Sequence, residues 1–536
     1  MKLKLLFSFF FAGALFASAQ QGYKDGIEYF VADQPEEAEI ILKRTINDAG
    51  TDQSQANYYL GLIEMGKGNI AGATDLFNKV SDPYKSIGLG YVALKNGNKS
   101  EAEALFKAAK ELDKKNPVLL TEIARTYFRA DPAVYAKEID KYLADALKAA
   151  KKTREPAIYI LQGDIAAPTN VGDAAALYEM ASSFDPETKY PEAYVKYART
   201  YFSVNPQYSI DKLKALLEKV PNSALAQREL AEKYYDSDRL TLAAEQYGNY
   251  IANPNHFKKD EIRYVALLYF GKKYQESFDL AGKILSEEPD NFYMQRMQFF
   301  NKLALKDAAG AKEYAEKFFA NPKLGNNVTA KDYTNYGDAL SDLGQDSLAA
   351  IQYEKAVAMS PDKVEMLKDL SAVYSKAKMY KQAADALQRY VDSTAASTND
   401  IFMLARRYQN VAASSAEGSP EKEEAINMAL KNVDIALERV PDNASVAMTK
   451  ASILYVKDNG EVSEGTVDAF KYVLGILDKD ADNVNKRKND YKNIYNVLGN
   501  YYLKNGDNEN AKLYFTKFLE VDPTNDALRA FVEKMN

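Results

Sequence analysis

Residues 336–361 read YGDALSDLGQDSLAAIQYEKAVAMSP, and residues 498–523 read LGNYYLKNGDNENAKLYFTKFLEVDP. Laid one over the other, both place a glycine (Gly337, Gly499), then an alanine (Ala349, Ala511), then a ring four residues on (Tyr353, Phe515), then a closing proline (Pro361, Pro523). Residues four apart share one face of a helix. Small residues therefore recur where two helices must touch, and large ones where a third must be filled. A unit of this size cannot bury its apolar face alone, so copies stack into a solenoid.

The frame extends over nearly the whole chain. Equivalent first-helix positions are Gly26, Gly61, Gly90, Ala124, Gly163, Ala198, Ala231, Ala266, Phe299, Gly337, Ser371, Ala405, Ala451 and Gly499. Second helices repeat the small-then-large pair: Ala73 with Phe77, Ala102 with Phe106, Ala174 with Tyr178, Ala243 with Tyr247, and Ala383 with Leu387. Prolines such as Pro186, Pro254, Pro289, Pro361, Pro441 and Pro523 close units, and proline fits the first turn of a following helix. No alternating strand pattern competes, so the chain is all-α.

These residues resemble the tetratricopeptide repeat (TPR) family over residues 22–525. The resemblance implies a right-handed superhelical solenoid of about fourteen helical hairpins. Residues 526–536 carry Leu528, Phe531 and Val532 among charges, as a capping helix does. Three segments depart from the frame: Asn321 to Asp332, Ala412 to Glu423 and Asp478 to Asp490. They predict exposed polar loops or extended helix ends. The first can separate an array at 20–320 from another at 321–536.

The N-terminus has the form of a processing signal. Lys2 and Lys4 precede the apolar run Leu5–Phe16, and Ala17-Ser18-Ala19 is a cleavage site. The run is shorter than the ~20 residues that span a bilayer, and no later segment is longer. The expectation is a signal peptide at 1–19, a mature chain from Gln20, and a periplasmic location, with export outside the cell as the alternative. The chain has no cysteine, which excludes disulfides, thiol catalysis and a lipidated anchor. The formal charge is −7, and losing Lys2 and Lys4 makes it more negative. An acidic chain without a basic face offers little to nucleic acid.

Chemistry has little to stand on. The one histidine, His256, lies in an expected exposed loop, and no nucleophile, phosphate-loop or metal motif occurs. Asp478, Asp480 and Asp482 alternate like a calcium loop but lack its glycine and closing glutamate. No catalytic residue, metal or cofactor is expected. In the resembled family the exposed face of the first helices lines a groove where protein segments dock. Positions three before, one after and four after the small residue then carry Arg125 and Phe128, Arg199 and Phe202, Arg228 and Tyr235, and Arg263 and Phe270. Arginine and aromatics are what binding hot spots favour. Solvated arginines with rings packed between units are the competing reading.

The function expected is a periplasmic scaffold that binds protein segments in this groove and organises an envelope complex. The alternative is a solute- or glycan-binding protein associated with outer-membrane uptake. Glycan-capturing proteins of this build are usually lipoproteins with tryptophan platforms, and this chain has neither cysteine nor tryptophan.

Overall fold

The structure, a computed structural model, describes residues 22–151, 153–459 and 461–535. The expected signal peptide at 1–19 and the start at Gln20 lie outside them. Among the described residues the secondary structure is helical, without strands. The chain divides into two compact units between Glu287 and Glu288.

The first unit holds eight helical hairpins. They are 22–31 with Pro35–Thr45, Gln53–Gly66 with Ile70–Phe77, Tyr84–Lys95 with Lys99–Leu112, and Pro117–Ala130 with Ala136–Ala150. Then come Pro156–Ala166 with Val171–Ser183, Glu192–Tyr201 with Pro206–Lys219, Ala224–Asp236 with Leu240–Ile251, and Lys258–Phe270 with Tyr274–Glu287.

The second unit holds six. They are Phe292–Ala304 with Ala308–Phe319, Ala330–Asp342 with Asp346–Met359, and Met366–Lys376 with Tyr380–Ser393. Thr398–Ser414 with Pro420–Arg439, Ala444–Lys457 with Glu464–Leu477, and Lys488–Lys504 with Asn508–Val521 complete the array. A last helix, Asp526–Glu533, covers its end: Val532 and Met535 are buried with Ala511 and Phe515.

The repeated small residues have a direct steric cause. A Cβ on Gly90 would lie 2.4 Å from the Phe106 ring, and one on Gly499 2.5 Å from the Phe515 ring. Gly61 faces Phe77 at 2.5 Å, and Gly337 faces Tyr353 at 2.6 Å. The ring from the second helix thus occupies the volume a first-helix side chain would need. Asparagine, aspartate and serine start many helices: Asn116, Asn170, Asn205, Ser223 and Asn443 each accept from a first-turn amide. Such a cap is worth ~1 kcal/mol.

Three expectations change. The unit-closing prolines, such as Pro186, Pro289 and Pro441, sit in turns between hairpins and not in the first turn of the next helix. Pro35, Pro117, Pro156, Pro206 and Pro420 open helices instead. His256 is not exposed. It is half-buried, Nδ1 lies 2.7 Å from the Asn253 carbonyl and Nε2 lies 3.0 Å from Glu261. The segment Asn321 to Asp332 is not simply a polar loop. Leu324 and Asp332 are buried, and Arg296 donates to both Asp332 oxygens at 2.7 and 2.8 Å. Ala412 to Glu423 joins two lengthened helices, as one of the expected forms had it.

Candidate functional site: the inner face of the first unit

In an ordinary solenoid each repeat touches only its neighbours. The first unit breaks that rule. Its first hairpin, residues 22–45, also lies against the first helices of the sixth, seventh and eighth hairpins. Gln34 donates to Glu229, 195 residues away, at 3.1 Å. Asn255 donates to Asp25 at 2.5 Å, Ser223 to Glu28 at 2.7 Å, and Lys259 to Glu37 at 2.9 Å. Arg199 donates to the Ala32 carbonyl. Tyr29 is fully buried edge-on to Phe257, with ring centroids 5.3 Å apart. Tyr29, Ile41 and Leu42 join Val195, Leu225 and Tyr250 in one apolar core. Burial pushes the Asp25 and Glu28 carboxyls well above the usual carboxylate range, and the Asp25 charge adds to the effect on Glu28.

The residues expected in the groove lie on or beside this face, and all four arginines are already paired. Arg125 pairs with Glu122 at 3.1 Å, and Glu122 also accepts from Arg129 at 2.7 Å and from Tyr58 at 2.9 Å. Arg199 pairs with Glu229 at 2.5 Å. Arg228 donates to Asp260 at 2.8 and 3.3 Å and to Gln34 at 3.2 Å. Gln34 therefore ties Arg228 to the carboxylate that holds Arg199. Arg263 stands apart: it pairs with Glu232 at 2.6 and 2.7 Å and covers the Tyr235 ring at 4.8 Å. Phe128 is half-buried against the core around Tyr127, and Phe202 is half-buried under Lys233 at 4.4 Å. Tyr235 and Phe270 are exposed, Phe270 by 56%.

A cavity of about 440 Å³ opens between the first hairpin and hairpins four to six. Phe30, Pro35, Phe128 and Ile160 form apolar walls, and Arg125, Arg129, Asp164, Glu192 and Lys196 bring charge. Lys196 is buried between Asp33 at 2.6 Å and Asp164 at 2.9 Å, and Tyr178 donates to Asp164 at 2.9 Å. Arg129 covers the Phe30 ring at 5.5 Å.

The residues that build this site and that the repeat frame did not single out are Asp25, Glu28, Gln34, Glu192, Lys196 and Asn255. Their partners lie on hairpins far apart in sequence. The one available signal is the pair Asp25 and Glu28, three apart on a helical face shared with Tyr29. Among the described residues no group of three or more histidines, aspartates and glutamates is placed to hold a metal, and no helix is long and apolar enough to cross a membrane.

The tetratricopeptide repeat profile matches residues 87–116, 333–363 and 493–525. The third hairpin and the tenth and fourteenth carry these matches. No curated protein matches the chain. Among solved structures, the C-terminal part of a TPR repeat-containing protein from Cytophaga hutchinsonii is 18% identical. It covers 50% of this chain and 98% of its own, with a TM-score of 0.40. A thermophilic TPR protein of Thermus thermophilus is 19% identical over 39% of this chain and 98% of its own, with a TM-score of 0.24. The Cut9 and Hcn1 hetero-tetramer of the APC/C aligns over 95% of each chain at 13% identity and a TM-score of 0.27.

Proposed function

We propose, from the premise that the chain belongs to the tetratricopeptide repeat family, that it is a periplasmic scaffold that binds protein segments and organises an envelope complex. TPR repeats suggest a protein–protein interaction scaffold. The observation that carries the reading for this chain is the docking of residues 22–45. The inner face of the first unit holds a helical hairpin through paired carboxylates, amides and buried rings. Beyond the docked hairpin the same first-helix frame leaves Arg263, Tyr235 and Phe270 exposed, and this continuation has the chemistry to take a second segment. Signal-like residues 1–19 support the location.

The test is recovery of partners by cross-linking the full-length protein in cells, followed by identification and by sequencing the N-terminus of the recovered chain. A stoichiometric protein partner and a chain that begins at Gln20 are expected. A chain that keeps Met1 after export, or a bound sugar with no protein, would overturn the reading.

A further inference from the structure

The cavity between the first, fourth, fifth and sixth hairpins contains a donor that the fold leaves without a partner and a buried carboxyl that only its own backbone amide holds. Glu192 is only 6% exposed and lines the cavity, yet no side chain among the described residues donates to its carboxyl. The Nε of Arg125, on the same lining, is buried with no acceptor. A buried donor left unmade is costly, so Arg125 Nε beside a buried carboxyl with no side-chain donor points to something that fills both.

The charges say what. Arg125 and Arg129 share one carboxylate, Glu122. Lys196 lies between two, Asp33 and Asp164. With Glu192 ionised, four carboxylates face three cations. The remaining acid nearby, Glu28, is held protonated by burial and accepts from Ser223. The groups that face Glu192 from the surrounding elements are Glu28, Tyr59, Arg125, Asp164, Tyr190 and Lys196. Arg125 and Lys196 are the cations among them, and each is already paired with other carboxylates. One further positive charge therefore balances the cavity, and one acceptor beside it satisfies Arg125.

An α-ammonium followed by its carbonyl has that pattern. We propose that this cavity captures the free N-terminus of a polypeptide, the ammonium bound by Glu192, the first carbonyl accepting from Arg125 Nε, and the first side chain set among Phe30, Phe128 and Ile160. The volume of about 440 Å³ lies within the range of small ligand sites. The inference rests on the scaffold reading and names which part of a partner enters the first unit.

Binding is linked to protons. Burial raises Glu192 to about 7, so the empty site is about half protonated at pH 7. The incoming ammonium displaces that proton to solvent, so binding near pH 7 releases protons. Affinity rises from pH 6 to about 7.5, then falls above ~8 as the α-ammonium itself loses its proton.

The experiment is calorimetry on the full chain with the tripeptide leucyl-alanyl-alanine amide, its N-acetylated form and leucinamide, in two buffers of different ionisation enthalpy at pH 7. The tripeptide is expected to bind at least tenfold tighter than the acetylated form and to release protons. Glu192→Gln is expected to abolish that preference while melting no lower than wild type at pH 8, because it removes a buried charge whose desolvation outweighs its attraction to Arg125 and Lys196. Equal binding of free and acetylated peptide, or no binding of either, would overturn the proposal while leaving partner recovery untouched. Leucinamide binding as tightly as the tripeptide would overturn the polypeptide assignment in favour of a free amino-acid derivative.

Discussion

Arg228 and Arg263 hold the same place in successive repeats, three residues before the small residues Ala231 and Ala266. A repeat frame gives them one role, but their surroundings give them different energies. Arg228 has a side chain 16% exposed, forks onto Asp260 and lies 5.8 Å from the centre of the Phe257 ring. Replacing it with alanine leaves Asp260, 8% exposed, with Tyr250 as its side-chain donor at 2.9 Å. Stranding a buried carboxylate in this way costs ~3–5 kcal/mol. Arg263 has a side chain 44% exposed and pairs with Glu232 at the surface. Its removal costs ~0–1 kcal/mol for the ion pair and a similar amount for its contact with Tyr235. Arg228→Ala should therefore destabilise the first unit by roughly 3 kcal/mol more than Arg263→Ala, about two powers of ten in opening equilibrium. Native-state hydrogen exchange of residues 22–45 and 224–236 reads this, since Gln34 loses a partner along with Asp260. Asp260→Asn in the Arg228→Ala background should recover part of the loss by removing the stranded charge. Equal protection in the two arginine variants would refute the assignment of Arg228 to the buried contact.

Ala349 is fully buried where two helices cross, with its carbonyl 3.3 Å from where a Cβ on Gly337 would stand. Ala349→Leu should cost ~1–3 kcal/mol by overpacking in a urea melt, and a wild-type midpoint would count against the register. Raised carboxyl values at Asp25, Glu28 and Glu192 mean the folded first unit binds more protons than the unfolded chain. Stability from these groups is complete below the ordinary carboxylate range and is lost as pH rises to about 7 and beyond. Denaturant midpoints at pH 5 and pH 8 test it, and a first unit more stable at pH 8 would contradict the sign. Truncation after Pro523 should expose Ala511 and Phe515 and loosen the last hairpin, as amide exchange of residues 508–521 would show.

The arrangement of hairpins was legible because each repeat records its own neighbours. Gly90 and Phe106, or Gly499 and Phe515, are sixteen residues apart and meet across one hairpin, so local periodicity contains the contact. The docking of residues 22–45 was not legible. Asp25, Glu28, Gln34 and Glu37 have the composition of an ordinary solvated face, and nothing local tells such a side chain which partner it will meet 194 to 230 residues later. Small positional errors have the same origin. Thr121, Val195 and Leu267 stand on their first helices at the same relative positions as the expected groove residues and are buried, Val195 and Leu267 in the core that residues 22–45 complete. Arg199 follows the same logic. A lone sequence position makes it exposed, whereas the fold gives it Glu229 and the Ala32 carbonyl.

That coverage constrains how a partner can use the first unit. Displacing residues 22–45 would separate Lys196 from Asp33, Arg199 from Ala32 and Arg228 from Gln34, and would expose Tyr29, Ile41 and Leu42 together. Each of those aliphatic and aromatic side chains is worth ~1.5–3 kcal/mol when fully buried. Their loss, together with the three broken contacts, is at least comparable to what a central hot-spot arginine returns, ~2 kcal/mol and up to ~8 in extreme cases. Competition for the same arginines is therefore the costly route. The surfaces open without that loss are the cavity beside Glu192, where Arg125 Nε has no acceptor, and the exposed run of Arg263, Tyr235 and Phe270. A partner that enters by its chain end at the first and lies along the second would use the inner face without disturbing the hairpin that shapes it.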